Sequence, residues 1–216
     1  MSAPTLDSAL AEMPVIAILR GVQPTEILAI AEVIHRAGIR IIEVPLNSPQ
    51  PFDSIRRLAN EFSAECVCGA GTVVADDEVD QLADVGGRIA VSPNTNVAVI
   101  RRSLERGIEP VPGWSSATDA FAAHHAGARH LKLFPAGTFG TDHLKALLAV
   151  LPPSVAVVAV GGIGVDAIDD WFAAGARGFG IGSELYRPGD TPDRVFERAE
   201  HIVTAVRRSR FAHGQD

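Results

Sequence analysis

Apolar positions along the chain recur in two alternating rhythms. Short runs of strand character fall at residues 15–19, 39–44, 66–71, 89–92, 108–112, 130–134, 155–160 and 178–182. Between them apolar residues return at helical spacing, as in Ile27, Ile30, Ala31 and Ile34, and again in Val79, Leu82 and Ala83. Strand and helix thus alternate eight times with a period of about 23 residues, a pattern that demands a parallel sheet. Helical stretches close on Gly38, Gly86, Gly107, Gly127 and Gly175, each placed just before the next strand. Eight short βα units in 216 residues predict an α/β fold of one (β/α)8 barrel rather than a doubly wound sheet. No GxGxxG turn follows the first strand, which argues against the doubly wound alternative. The expected domain spans residues 1–216, with a short helix before Met13 capping the barrel bottom and a long last helix over residues 191–210.

Composition narrows what such a barrel could bind. A formal charge of −7 offers no basic field for a nucleic-acid backbone, so a small and anionic ligand would need a local site. There is no apolar run of membrane-spanning length, and the first residues lack a basic start and a signal-peptide core, so a cytoplasmic protein is expected. Cys66 and Cys68 fall on one face of an extended run, too poorly placed for a mutual disulfide, and read as reduced core residues. Only two of the 19 basic residues are lysines, Lys132 and Lys145.

Barrels of this class carry chemistry at the C-terminal ends of their strands. Alternation there puts Ile39, Ile41 and Glu43 on one face of the second strand, and His130, Lys132 and Phe134 on one face of the sixth. Glu43 and Lys132 are open to two readings, a structural ion pair or a catalytic pair. A free lysine titrates near 10.4, and lowering that by about three units costs about 4 kcal/mol, which desolvation in a barrel can supply. The neutral amine could then condense with a ketone to an imine, an electron sink for breaking the adjacent carbon–carbon bond. Gly161 and Gly162 after the seventh strand, and Gly182 and Ser183 after the eighth, read either as tight turns or as a phosphate cradle, the latter helped by a helix expected near Val165. Arg20, after the first strand, is a rim arginine suited to a carboxylate. His124 and His125 are expected to face solvent, and His130 and His143 are too scattered for metal-ligand spacing, so no metal is expected.

Six segments taken together resemble a known family. They are Ile16-Ala17-Ile18-Leu19-Arg20-Gly21, Glu43-Val44-Pro45-Leu46-Asn47-Ser48-Pro49, Gly69-Ala70-Gly71-Thr72-Val73, Ser92-Pro93-Asn94, Leu131-Lys132-Leu133-Phe134-Pro135-Ala136 and Val160-Gly161-Gly162-Ile163. The chain is similar over nearly its whole length to the pyruvate-forming class I aldolases of the KDPG and KDPGal aldolase family. That resemblance implies Lys132 as the Schiff-base lysine and Glu43 as the acid/base residue. It places Arg20, Thr72, Pro93 and Phe134 around the pyruvate end, and Gly161, Gly162, Gly182 and Ser183 around a phosphate. It also implies a phosphorylated keto acid substrate, no cofactor, and a homotrimer. The gluconate branch carries an arginine and a threonine where this chain has Asn47 and Val160, so the resemblance points to the galactonate branch, with Arg20 taking over the carboxylate. A gluconate-type aldolase, a sugar-phosphate epimerase and a catalytically silent binding barrel remain as alternatives.

Overall fold

The computed structural model describes residues 3–213, so the ends of the expected 1–216 domain lie outside the described residues. Helix α1 (Leu6–Glu12) precedes β1 (Val15–Ile18). The chain continues through α2 (Ile27–Ala37), β2 (Ile41–Pro45), α3 (Pro51–Phe62), β3 (Val67–Gly71), α4 (Asp76–Asp84), β4 (Ile89–Val91) and α5 (Val97–Glu105). Next come β5 (Glu109–Val111), β6 (Gly113–Trp114), α6 (Ala117–His125), β7 (His130–Leu133), α7 (Ala136–Leu148), β8 (Ala156–Val160), α8 (Ile168–Ala173), β9 (Gly178–Ile181) and α9 (Pro192–Ala212). All strand pairs are parallel, in the order β5-β4-β3-β2-β1-β9-β8-β7-β6. This is the expected (β/α)8 barrel, with one stave broken in two. The fifth run is split at Pro112, which has no N–H to give to a ladder. Its lower piece pairs with β4 and its upper piece with β7, so the sheet returns on itself through this residue. The Pro112 carbonyl accepts the backbone N–H of Lys132 at 2.8 Å.

Alternation sorts the strand residues into two layers. Val15, Ala17, Leu19, Ile42, Val44, Cys66, Cys68, Leu131 and Leu133 pack outward against the helices. Ile16, Ile18, Ile41, Val67, Ile89, Val91, Val111, Val158 and Val160 fill the lumen, with Phe134 packed on them. Ile39 departs from the expected face and belongs to the outer layer. Its N–H is spent on the Ile34 carbonyl, closing α2 around the left-handed Gly38, and the strand begins only at Ile41.

The lumen floor is sealed from below. Thr5 caps α1, whose Leu6, Ala9 and Leu10 pack into the inner cluster, as the expected bottom helix. His130 is buried at the lower end of β7, with Nδ1 3.0 Å from Glu109 Oε1 and Nε2 2.9 Å from Asp7 Oδ1, so this histidine ties α1 to two staves. The last helix begins after the Thr191 cap and runs slightly beyond the expected residues 191–210. Among the described residues no helix is long and apolar enough to cross a membrane.

Large lumen side chains require small partners. A Cβ at Gly69 would overlap the Ile89 backbone carbonyl, whereas one at Gly164 would meet nothing within 4 Å. Gly69→Ala is therefore expected to cost about 1–3 kcal/mol and Gly164→Ala less than about 0.5 kcal/mol in urea unfolding. Equal stabilities for the two variants would contradict this packing.

Candidate active site

With the lower end plugged, the open end of the barrel is the one where the strands finish. A cavity of about 420 Å³ lies there, and all ten residues singled out from the sequence border it: Arg20, Glu43, Thr72, Pro93, Lys132, Phe134, Gly161, Gly162, Gly182 and Ser183. Ile18, Val160, Ile163, Gly164, Gly180 and Glu184 complete the lining. Ile18 and Val160 were within reach of sequence reasoning, because alternation puts them in the lumen two residues beyond Ile16 and Val158. Exposed Glu184 carries no comparable signal.

Glu43 sits in β2 with Ile18 of β1 and Gly69 of β3 as its register neighbours. It is 2% exposed, and its Oε2 is buried without a hydrogen-bond partner. A Cβ at Gly71 would overlap this carboxylate, so the glycine provides its seat. Burial pushes the carboxyl up to about 7, and the positive charges of Lys132 and Arg20 offset only part of that cost.

Lys132 lies across the lumen on β7, in register with Gly113 and Val158, and is 7% exposed. Burial drives its amine below the ordinary lysine range; the Glu43 charge opposes the shift, and Arg20 adds to it. The Phe134 ring walls the amine, with its centroid 4.5 Å from Nζ. Lys145, by contrast, is exposed on α7, 3.9 Å from Asp142.

The rim is built from loops that the strands aim at the cavity. Arg20 donates from Nη1 to Asn47 Oδ1, so the residue at the branch-distinguishing position orients the arginine expected to serve in its place. The Gly21 N–H donates to Ser48 Oγ at 2.9 Å, a second tie between the β1 and β2 loops. Thr72 holds a left-handed φ of 59°, a position costing a β-branched residue on the order of 1–3 kcal/mol, at the point where β3 reaches the cavity. Gly161 and Gly162 also have positive φ, and the Gly161 carbonyl accepts the Gly137 N–H at 2.8 Å, so the glycine pair is braced by the start of α7. A Cβ at Gly161 would come 3.1 Å from the Phe134 ring, which keeps this loop against the lysine wall.

A helix starts at Val165 as expected, opening as a 3-10 turn, Val165–Ala167, that runs into the six-residue α8. One local expectation needs correcting. His124 is half-buried and its Nδ1 is enclosed without a partner, because α6 turns it toward its neighbours rather than to solvent. Among the described residues no group of three or more His, Cys, Asp or Glu converges as a metal site.

A buried amine facing a buried carboxylate, below a glycine-rich rim, can be set beside known proteins. The sequence profile of the KDPG and KHG aldolases matches residues 6–195. The chain belongs to that family. It is 43% identical to the 2-dehydro-3-deoxy-6-phosphogalactonate aldolase of Escherichia coli (strain K12) over 92% of this chain and 97% of that protein. It is 45% identical to the probable 2-dehydro-3-deoxy-6-phosphogalactonate aldolase of Rhizobium meliloti (strain 1021) over 90% of this chain and 92% of that one. A solved structure described as native KDPGal superposes with a TM-score of 0.90 at 43% identity, covering 92% of this chain and 96% of that one.

In this aldolase the buried carboxyl should reveal itself in stability. Its native value of about 7 lies above the ordinary 4.5, so the folded state holds the proton more tightly than the unfolded state. The stability is fullest below pH 4.5 and falls as the pH rises to 7, beyond which the penalty is complete. Glu43→Gln removes that penalty. The variant is expected to be more stable than the parent at pH 8, by on the order of 3 kcal/mol, and equal to it at pH 4.5. Denaturation at the two pH values checks this; a gap independent of pH would refute the burial account.

Proposed function

We propose that this carbon–carbon lyase cleaves 2-dehydro-3-deoxy-6-phosphogalactonate to pyruvate and D-glyceraldehyde 3-phosphate through an imine on Lys132. The observation that carries the proposal is the pairing of Lys132 and Glu43 across the floor of one cavity. The galactonate-type relatives and the Asn47 and Val160 positions support the choice of substrate branch.

Burial shifts Lys132 toward the free amine, and in that form Nζ adds to the C2 ketone to give a carbinolamine, which loses water to form the imine. Protonated imine draws in the electron pair of the C3–C4 bond as that bond breaks. Glu43, directly or through a water, accepts the C4 hydroxyl proton, so the departing half leaves as the aldehyde. A carboxyl titrating near 7 suits both halves of the cycle, taking a proton during cleavage and returning one to the enamine carbon afterwards. Hydrolysis of the pyruvyl imine restores Lys132. Arg20, steered by Asn47, takes the substrate carboxylate, while Thr72, Pro93 and Phe134 shape the pyruvate end. Gly161, Gly162, Gly182 and Ser183 receive the phosphate through backbone N–H groups and a hydroxyl. The imine does the electronic work, so the reaction calls for neither a metal nor an organic cofactor. The same reading has residues 1–216 act as one aldolase domain, in the cytoplasm and as a homotrimer.

Borohydride reduction in the presence of pyruvate should fix a pyruvyl label on Lys132 and none on Lys145, as read by peptide mapping. Label on another residue, or no label, would overturn the mechanism. With both C4 epimers assayed side by side, kcat/KM is expected to favour the galactonate by at least about tenfold; the reverse order makes the protein a gluconate-type aldolase.

Glu43→Gln should lower cleavage by roughly 10²- to 10⁴-fold while slower pyruvate trapping persists. A pH–rate curve merely displaced along the pH axis, at full height, would mean that another group is the base.

A further inference from the structure

Two loops that border the cavity also meet at a point away from the reacting groups. One follows β1 and carries Arg20 and Gly21; the other follows β9 and carries Gly182 and Ser183. The β9 loop is fastened within itself. The N–H groups of Leu185 and Tyr186 donate to the Gly182 carbonyl at 2.8 and 2.9 Å, and Arg187 Nε donates to the Ser183 carbonyl at 2.9 Å. Farther along, the Arg187 N–H donates to Asp190 Oδ2 at 2.8 Å, and Arg198 Nη1 reaches the same oxygen at 2.6 Å. Ser183 can therefore shift only if the loop shifts as a body.

Tyr186 joins that body to the neighbouring loop. Its side chain is buried, and its hydroxyl donates to Glu26 Oε1 at 2.5 Å across 160 positions of sequence. Glu26 stands at the start of α2, and the same oxygen accepts the Gln23 N–H at 3.2 Å, so the acceptor is itself braced. Tyr186 and Leu185 pack into the outer core, so the β9 loop is anchored beneath. Between the two loops lies a cavity of about 350 Å³, bordered by Arg20, Gly21, Ser183, Tyr186 and Pro188 among others. Beyond the end of the β1–β9 ladder, the Tyr186–Glu26 hydrogen bond ties one loop to the other.

We propose that the Tyr186–Glu26 hydrogen bond is a positioning latch that sets the span between Arg20 and Ser183, and so matches the site to a substrate carrying an anion at each end. This rests on the aldolase reading above, in which those residues take carboxylate and phosphate. Neither Tyr186 nor Glu26 borders the main cavity, so both act through the loops rather than on the reacting atoms. Burial, the hydrogen bond to Glu26 and the nearby Asp190 push the phenol above its ordinary range, and it remains a neutral donor at working pH.

A latch of this kind affects only ligands that reach both loops. Tyr186→Phe is expected to raise KM for the phosphorylated substrate roughly tenfold while kcat stays within about twofold. The pyruvate concentration for half-maximal borohydride trapping at Lys132 should not move, since pyruvate carries no phosphate. Glu26→Ala should reproduce the KM effect, Glu26→Gln should restore most of it by keeping an oxygen acceptor, and the double variant Tyr186→Phe/Glu26→Ala should be no worse than either single. An unchanged KM in Tyr186→Phe overturns the proposal, as does a fall in kcat at constant KM or an equal loss of affinity for pyruvate. Failure of the parent protein to trap pyruvate at Lys132 would instead remove the aldolase reading beneath it, and the two failures are told apart by that control.

Discussion

One amine and one carboxylate face each other in an apolar lumen that supplies too few hydrogen bonds for both to be charged cheaply. Glu43 rests on Gly71 with one oxygen lacking a protein partner, and Lys132 stands against the Phe134 ring, so both groups are largely buried. Desolvation moves their proton affinities toward each other, the carboxyl to about 7 and the amine downward. The free-energy gap for passing a proton between them is thereby narrowed. The pair costs the fold stability, which is the usual relation between a reactive site and the structure that holds it.

The barrel meets that cost by confining it to one end. Helix α1 and the His130 cluster close the bottom, and Ile and Val side chains fill the lumen up to the level of Glu43 and Lys132. Glycines occupy the places where those branched residues would otherwise collide. The stave broken at Pro112 still serves the site directly, because the Pro112 carbonyl accepts the backbone N–H of Lys132. The reactive amine is carried by a strand bonded on both sides, and its position is set by the same ladder that closes the sheet.

The rim follows a different principle. Its groups belong to loops, and loops are placed by polar ties: Arg20 to Asn47, Gly21 to Ser48, Gly137 to Gly161, Tyr186 to Glu26. Under the function proposed above, the floor carries the reacting groups and the rim carries the groups that meet the two charged ends of the ligand. Strand-borne chemistry and loop-borne recognition are thus separated within one cavity.

That division also explains what could be read from the chain alone. Strand and helix periods follow from which side chains avoid water, so the eight repeats, the bottom helix, the shared face of the two cysteines and the strand-end positions of Glu43 and Lys132 were legible in the pattern, whereas the layer each face turns to came from closure of the sheet. Glycines after helices were legible too, because few other residues accept a left-handed closure. The break at Pro112, the outward placement of Ile39 and the enclosure of His124 depend on which hydrogen bonds and neighbours each residue finds, and local sequence does not contain them. The Asn47–Arg20 and Tyr186–Glu26 ties join residues 27 and 160 positions apart. Side-chain period can say which way a residue faces, but only closure of the sheet decides what it meets there.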